Sequence, residues 1–221
     1  MPNSDYELLI FDWDGTLVDS IDRIVAAIRH AAAGCDLPRL DEVPIKGIIG
    51  LAIQEAIVTL YPQLTGTQTL TEFQRLYADH YLSLEATPSL AYPGVAKTLQ
   101  TLHQQGYRMA VATGKTRRGL DRVAACHGWS ALFETTRCAD ETASKPHPRM
   151  LLEILEQCQV APERAIMIGD SAFDLQMAHN AGMGAVAVSY GAQPVQVLQQ
   201  YPHCLMIDRF EHLLPWLNHR P

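Results

Sequence analysis

The sequence lacks the features of several large classes of protein. Only 17 of its 221 residues are lysine or arginine against 24 aspartates and glutamates, a net charge of −7 that offers no basic surface for a nucleic acid. No apolar run approaches the roughly 20 residues that are needed to cross a bilayer. The start, Met1 to Glu7, is polar and acidic, unlike a secretory signal. We therefore expect a protein that binds neither nucleic acid nor membrane.

Cysteine and histidine are present, but not in the spacing of a disulfide framework or a zinc site. The five cysteines are odd in number and form no Cys-x-x-Cys pair, and the nine histidines show no metal-ligand spacing. Free thiols are typical of a reducing compartment, so the predicted location is the cytoplasm. A content of 48% hydrophobic and 19% charged residues fits one soluble globular domain, or a domain with an insertion.

Short apolar runs alternate with helical patterns over most of the chain. The first run, Leu8 to Phe11, has the continuous apolar character of a strand that is covered on both faces. Further strands are predicted over 107–112, 133–138, 165–168, 185–188 and 205–207. This alternation predicts an α/β fold, a doubly wound, Rossmann-like parallel sheet with helices on both faces.

A long helical segment without any strand signal interrupts this alternation. Ser20 can cap one amphipathic helix, and a loop with Pro38 and Pro44 follows that helix. A second helix surrounds 51–60, and Thr69 with Glu72 forms a capping-box pattern for a third. The segment is far longer than an ordinary strand-to-helix connection. We therefore predict an α/β catalytic core made of 1–16 and 87–221, with a small inserted helical cap domain over 17–86.

Polar residues follow the predicted strands where each apolar run stops. Asp12 and Asp14 follow the first strand, with Gly15 behind them to permit a sharp turn. The other strand ends and adjacent loops supply Thr113, Lys145, Asp170 and Asp174. Because ligands bind outside the carboxyl ends of such strands, these side chains should share one cleft.

Four carboxylates in one cleft would repel each other strongly. At about 4 Å and an effective dielectric constant of about 20, each like-charged pair costs about 4 kcal/mol. A divalent cation removes that cost, and an all-oxygen site that also receives a phosphate suits Mg²⁺. Lys145 can add positive charge, and Thr113 can offer a hydroxyl to a phosphate oxygen. One carboxylate could accept a phosphoryl group while its neighbour protonates the leaving oxygen.

Each of these residues also has a plainer interpretation when it is taken alone. Ser171 and Asp174 could be a capping pair at the start of a helix, Thr113 a strand-end hydroxyl, and Lys145 a solvated loop cation. Their joint occurrence in a fixed order favours a shared site.

The ordered motifs are Asp12-Trp13-Asp14-Gly15-Thr16, Thr113-Gly114, Lys145-Pro146 and Gly169-Asp170-Ser171-x-x-Asp174. Together they resemble the four motifs of the haloacid-dehalogenase superfamily of phosphatases. The resemblance covers essentially the whole chain, including the helical cap, and is strongest to the phosphoglycolate-phosphatase-like group. The sequence departs from the usual pattern at Trp13, where that family commonly has phenylalanine.

The resemblance implies a Mg²⁺-dependent phosphatase that acts on a small phosphomonoester through an aspartyl-phosphate. It implies that Asp12 is the nucleophile and Asp14 the general acid and base. Thr113 and Lys145 would complete the catalytic set by holding the phosphoryl group. The expected substrate-binding residues are Thr113, Gly114, Lys115 and Lys145, and the expected metal ligands are Asp12, Asp14, Asp170 and Asp174.

Charged residues outside the motifs bear on the substrate. Lys115, Arg117 and Arg118 crowd a predicted helix N-terminus, where the helix dipole disfavours positive charge. We predict that Lys115 reaches the substrate, and that the two arginines are solvated or paired with Asp121. The cap is net acidic, a poor surface for a polyanion, so we expect a small substrate whose one further charge meets Lys115 or Lys46.

Other functions remain as alternatives. A sugar-phosphate mutase of the same superfamily would have a histidine where this chain has Ile24, and an arginine after the Lys46-Gly47 pair. A dehalogenase would not need an acid at Asp14, and a nucleotidase would take a larger substrate. A phospho-ligand sensor without turnover is possible in principle, although every catalytic position is filled. The expected partner is a small phosphate ester, and the expected assembly is a monomer or homodimer.

Overall fold

The computed structural model describes residues 5–64 and 66–218, so Met1 to Ser4 of the polar start lie outside the described residues. Six strands form one sheet in which every pairing is parallel. They are β1 Leu8–Phe11, β2 Arg108–Thr113, β3 Thr135–Cys138, β4 Ala165–Gly169, β5 Gly184–Val188 and β6 Leu205–Ile207. The order across the sheet is β3-β2-β1-β4-β5-β6. The predicted α/β fold with a parallel sheet is confirmed.

The described residues form ten α-helices, of which four lie between β1 and residue 87. The first four are α1 Ile21–Gly34, α2 Glu42–Lys46, α3 Ile53–Leu60 and α4 Thr67–Leu84. The others are α5 Val95–Gln104, α6 Arg117–His127, α7 Arg149–Cys158, α8 Ala172–Asn180, α9 Val195–Leu198 and α10 Leu213–Asn218. Within the part of the chain that the structure describes, none of these helices has the length and apolar character to cross a membrane.

The apolar strands are buried on both faces of the sheet. In β1, Leu9 and Phe11 belong to one hydrophobic cluster, while Leu8 and Ile10 belong to a second cluster on the opposite face. All four side chains are completely buried. This two-sided burial explains why the strand has a continuous apolar run rather than an alternating one.

The order of the strands places a crevice at the carboxyl end of β1. In the sheet, β2 and β3 lie on one side of β1, and β4, β5 and β6 lie on the other side. Phe11, the last residue of β1, is in register with Val111 of β2 and Ile168 of β4. The residues that follow these three strands therefore converge at the point where the strand order reverses, which is the usual ligand site in such sheets.

Helices α1 to α4 pack on one another around a third hydrophobic cluster. Its fully buried members include Ile28, Ile45, Tyr61 and Phe73, and it is distinct from the two clusters on the faces of the sheet. This separate apolar interior is what an inserted cap would need. The division into a core of 1–16 and 87–221 and a cap of 17–86 stays a prediction.

Two local predictions for the helical segment were wrong. Helix α4 begins at Thr67, so Thr69 lies inside the helix rather than capping it, and Glu72 accepts hydrogen bonds from Arg75 instead. The segment around Pro44 was predicted as a loop but forms the short helix α2. Proline is tolerated there because it stands in the first turn, where no intrahelical partner is needed for its nitrogen.

Candidate active site

The carboxyl ends of β1, β2 and β4 bring three predicted site residues together. Asp12 follows β1, and its backbone N–H donates to the Ile168 carbonyl of β4 at 2.9 Å. Thr113 is the last residue of β2, and Asp170 directly follows β4. All three residues are buried. The sheet thus brings residues that are far apart in the sequence together in one polar cluster.

Lys145 lies between two carboxylates of this cluster. Its Nζ is 2.8 Å from Asp12 Oδ1 and 2.7 Å from Asp174 Oδ1, and all three side chains are almost completely buried. The contact with Asp174 is a hydrogen bond, whereas Asp12 Oδ1 has close contact with the ammonium group without hydrogen-bond geometry. The two neighbouring carboxylates raise the pKa of Lys145 in spite of burial, so the ammonium stays charged.

Asp170 is held rigidly by groups on either side of it. Thr16 Oγ1 donates to its Oδ1 at 2.9 Å, and the Ala192 N–H donates to its Oδ2 at 2.7 Å. Gly15 has φ +83°, and a Cβ there would lie 2.2 Å from Asp170 Oδ2. Glycine is therefore required at this position both for the turn and for the close approach of the carboxylate.

Asp174 is both a helix cap and part of the site. Its Oδ2 accepts hydrogen bonds from the backbone N–H and the hydroxyl of Ser171, at 3.1 and 2.7 Å. The two residues form the capping box that opens α8. The capping interpretation of this pair is therefore correct, and the other oxygen of Asp174 still faces Lys145.

Three buried carboxylates could hold one metal ion. Asp12, Asp170 and Asp174 each offer an oxygen, and these oxygens lie within 4.8 Å of one another. Burial raises the pKa of Asp12, and burial together with Asp174 raises the pKa of Asp170 to about 7. Both pKa values rise because burial and repulsion from neighbouring carboxylates outweigh the attraction of Lys145. The Asp12 Oδ1 atom, which has no hydrogen bond, and the all-oxygen donor set fit Mg²⁺.

The carboxylate of Asp14 has its own partners outside this group of three. Ser20 Oγ donates to its Oδ1 at 2.5 Å, and Lys115 Nζ lies 2.9 Å from the same atom. The Asp14 side chain is not part of the three-carboxylate group, and the expected place of Asp14 among the metal ligands stays a prediction. Ser20, predicted as a helix cap, makes no side-chain cap and instead positions Asp14.

Gly114 and Lys115 follow Thr113 on the loop after β2. Thr113 Oγ1 accepts a hydrogen bond from the Lys115 N–H at 3.2 Å. A Cβ at Gly114 would lie 2.7 Å from the carbonyl oxygens of Gly50 and Leu51, so the helical segment touches the core here. Lys115 Nζ is also 3.2 Å from the hydroxyl of Tyr81 on α4, which places Lys115 between Asp14 and that helix.

Two further core residues hold the loop before α3 against the site. Ser144 Oγ accepts from the Ala52 N–H at 2.9 Å, and Gln193 Nε2 donates to the Gly47 carbonyl at 3.1 Å. The other end of the Gln193 side chain accepts from the Ala172 N–H at the start of α8. Neither Ser144 nor Gln193 was identified from the sequence, because neither stands in a motif.

The cations outside the motifs are mostly paired with acidic neighbours. Arg117 contacts Asp121 at 3.1 Å and Glu141 at 2.8 Å, so the predicted pairing with Asp121 is confirmed. Lys46 lies 3.0 Å from Glu42 on its own helix. Lys46 is therefore paired at the surface, and Lys115 is the cation that reaches Asp14.

A pocket opens beside Asp14, between the end of α4 and helix α6. It encloses about 380 Å³ of empty space, including the solvent at its mouth. Its polar and charged lining comprises Asp14, Lys115, Tyr81, Glu85 and Arg122, together with Ser89 and His127. We call this space the Asp14 pocket. Of the predicted site residues, Asp14 and Lys115 line it.

Comparison with known proteins finds relatives that match most of this chain. Residues 9–188 match the model of the family described as haloacid dehalogenase-like hydrolase. A protein of Dickeya dadantii named "Probable phosphatase IndB" is 32% identical over 210 residues, covering 94% of this chain and 91% of that protein. The phosphoglycolate phosphatase of Psychrobacter arcticus is 29% identical, covering 96% of both chains. A hydrolase from Pseudomonas syringae has the same fold, with a TM-score of 0.87 at 22% identity over 95% of this chain and 97% of that one.

Proposed function

Because this chain belongs to the haloacid dehalogenase-like hydrolase family, we propose that it is a Mg²⁺-dependent phosphatase that forms an aspartyl-phosphate on Asp12. The observation that carries this proposal is the buried group of Asp12, Asp170 and Asp174 around the Lys145 ammonium. Three buried carboxylates with a single ammonium are costly to a fold unless a further cation balances their charge. Relatives named as phosphatases support the same reaction class.

Asp12, Asp170 and Asp174 would hold the metal ion. When it is bound, Mg²⁺ supplies positive charge that stabilises the carboxylates and the phosphoryl oxygens. The protein prepares its own part of the site by fixing Asp170 through Thr16 and the Ala192 N–H. It also keeps Lys145 charged beside Asp12, which opposes protonation of the nucleophile.

In the first step, a carboxylate oxygen of Asp12 attacks the phosphorus atom of the ester. The bond between phosphorus and the leaving oxygen breaks, and Asp14 donates a proton to that oxygen so that it departs as an alcohol. Thr113 and Lys145 hold the phosphoryl oxygens during the transfer. The contacts of Ser20 and Lys115 with Asp14 would hold the side chain that donates this proton.

In the second step, a water molecule attacks the phosphorus atom of the aspartyl-phosphate. Asp14 takes a proton from the water, the bond between Asp12 and phosphorus breaks, and inorganic phosphate leaves. Asp12 returns as a carboxylate and Asp14 returns in its protonated form. The same side chain thus serves as acid and then as base, which its position at the edge of the phosphoryl site permits.

The proposed substrate is a small phosphomonoester similar to phosphoglycolate. Several relatives are named phosphoglycolate phosphatase, and Lys115 is suitably placed in the Asp14 pocket to meet one carboxylate. The contacts of Gly47, Gly50 and Ala52 hold the helical segment close to the core beside the site, which supports a small acid over a nucleotide.

A panel of phosphomonoesters tests the proposed function. With Mg²⁺, the purified protein should release phosphate from phosphoglycolate or another small ester with a higher kcat/KM than from nucleoside monophosphates. Addition of EDTA should stop the release. A preference for nucleoside monophosphates would replace the proposal with a nucleotidase, and transfer of phosphate within a sugar phosphate would replace it with a mutase.

A further inference from the structure

The charges that line the Asp14 pocket are paired within the pocket. Lys115 Nζ lies 2.9 Å from Asp14 Oδ1, and Arg122 Nε donates to Glu85 Oε2 at 2.6 Å. The pocket therefore contains two cations and two carboxylates, so their charges balance. Burial lowers the pKa of His127, so this side chain adds no positive charge at neutral pH.

Glu85 stands at a position where a carboxylate is locally unfavourable. It is the C-cap of α4, next to the negative end of the helix dipole. Its side chain is nevertheless only 10% exposed and is directed to Arg122 on α6. A residue that is unfavourable to its own helix and lines a pocket is a candidate for a functional role. The effect of Glu85 here is to cancel the charge of Arg122.

The position of Asp14 determines which part of a substrate enters this space. If Asp14 donates a proton to the leaving oxygen, that oxygen must lie within hydrogen-bond reach of it. The organic group attached to the oxygen then extends into the cavity that Asp14 lines. Lys115 has Asp14 and the Tyr81 hydroxyl as neighbours and can still offer its third ammonium hydrogen to a ligand.

We propose that the Asp14 pocket is the leaving-group subsite and that Glu85 sets its charge preference. By occupying Arg122, Glu85 leaves Lys115 as the cation that meets a substrate anion, so the leaving group carries at most one negative charge. This inference rests on the proposed phosphatase function and narrows its substrate class. A phosphoester of a monocarboxylate or of a neutral alcohol fits the pocket, and a phosphoester of a dicarboxylate does not.

Two phosphoesters that differ by one carboxylate test the inference. Phosphoglycolate has a leaving group with one negative charge, and phosphotartronate has a leaving group with two. The readout is the ratio of kcat/KM for phosphotartronate to kcat/KM for phosphoglycolate. Glu85→Gln frees Arg122 and should raise this ratio about tenfold, since a guanidinium in a partly desolvated pocket then attracts the second carboxylate.

Arg122→Gln provides the opposite change, because it leaves Glu85 unpaired in the pocket and should lower the same ratio. The matched control is Glu72→Gln, which removes the same charge from the same helix but breaks a surface pair with Arg75. This control should leave the ratio as it is in the unaltered protein. Opposite shifts for the two pocket variants would support the inference.

Equal ratios in all three variants, or a shift of the same sign in both pocket variants, would overturn the inference while leaving the phosphatase function intact. Turnover of 4-nitrophenyl phosphate with Mg²⁺ separates this failure from a failure of the function itself. If the unaltered protein hydrolyses neither that ester nor the two acids, both proposals are wrong.

Discussion

Lys145 is the side chain on which the charge balance of the site most depends. Its ammonium lies within 2.8 Å of Asp12 and within 2.7 Å of Asp174, and none of the three groups has appreciable contact with solvent. Lys145→Met keeps most of the volume and removes the charge. Two buried carboxylates then lose their cation, and removal of one partner of a buried ion pair costs about 3–5 kcal/mol.

That loss of stability should be visible as a large fall in the melting temperature. For a chain of 150–250 residues, each kcal/mol corresponds to a shift of about 2–4 °C, so the expected fall is about 6–20 °C. It should be measured by calorimetry in EDTA at slightly alkaline pH, where protonation of the carboxylates gives least relief. Saturating Mg²⁺ should restore part of the loss, since the ion neutralises the same carboxylates.

Lys46→Met is the matched control for this experiment. Lys46 forms an ion pair of similar length, 3.0 Å to Glu42, but at the surface. Such pairs are worth about 0–1 kcal/mol, so the melting temperature should hardly change. If Lys145→Met is no more destabilising than Lys46→Met, or if Mg²⁺ stabilises neither the variant nor the unaltered protein, the electrostatic account of the cluster is wrong.

Three further outcomes are expected from the geometry. In single-turnover assays, Asp14→Asn should lower activity on alkyl phosphates about 10²–10⁴-fold. The loss should be smaller for an aryl phosphate, which has a better leaving group. Equal small losses on both substrates would mean that Asp14 has another role. Lys115→Ala should raise KM for phosphoglycolate more than KM for 2-hydroxyethyl phosphate. An equal rise in KM for both esters would mean that Lys115 does not recognise the carboxylate. If the helical segment closes over substrate, hydrogen exchange at 16–20 and 86–92 should slow when Mg²⁺ and a phosphate mimic bind. No change there would indicate a fixed insertion.

The sheet and the residues at its strand ends could be predicted because local patterns encode them. The continuous apolar run before Asp12 ends where the strand ends, and the run before Asp170 does the same. Ser171 and Asp174 have a spacing that a capping box requires, whatever else they do. These features depend on neighbours within a few residues, so the sequence displays them directly.

The contacts that shape the rest of the site join residues far apart in the chain. Gln193 reaches Gly47, and Arg122 reaches Glu85, with nothing in either local pattern to indicate the pairing. Ser20 appeared to be a helix cap because its spacing suits one, but the fold offers its hydroxyl a buried carboxylate instead. Tertiary packing determines these contacts, and it overrides the preference of a residue such as Ser20 for a capping position.

The most direct test of the proposed mechanism is the turnover of a small phosphomonoester by the unaltered protein and by Asp12→Asn, each with Mg²⁺ and with EDTA. Asp12→Asn keeps the shape of the side chain and removes the attacking carboxylate, so the fold should remain, as judged by circular dichroism. The account predicts phosphate release by the unaltered protein with Mg²⁺, and none above background in the other three conditions. Full activity in EDTA, or full activity of Asp12→Asn, would contradict it.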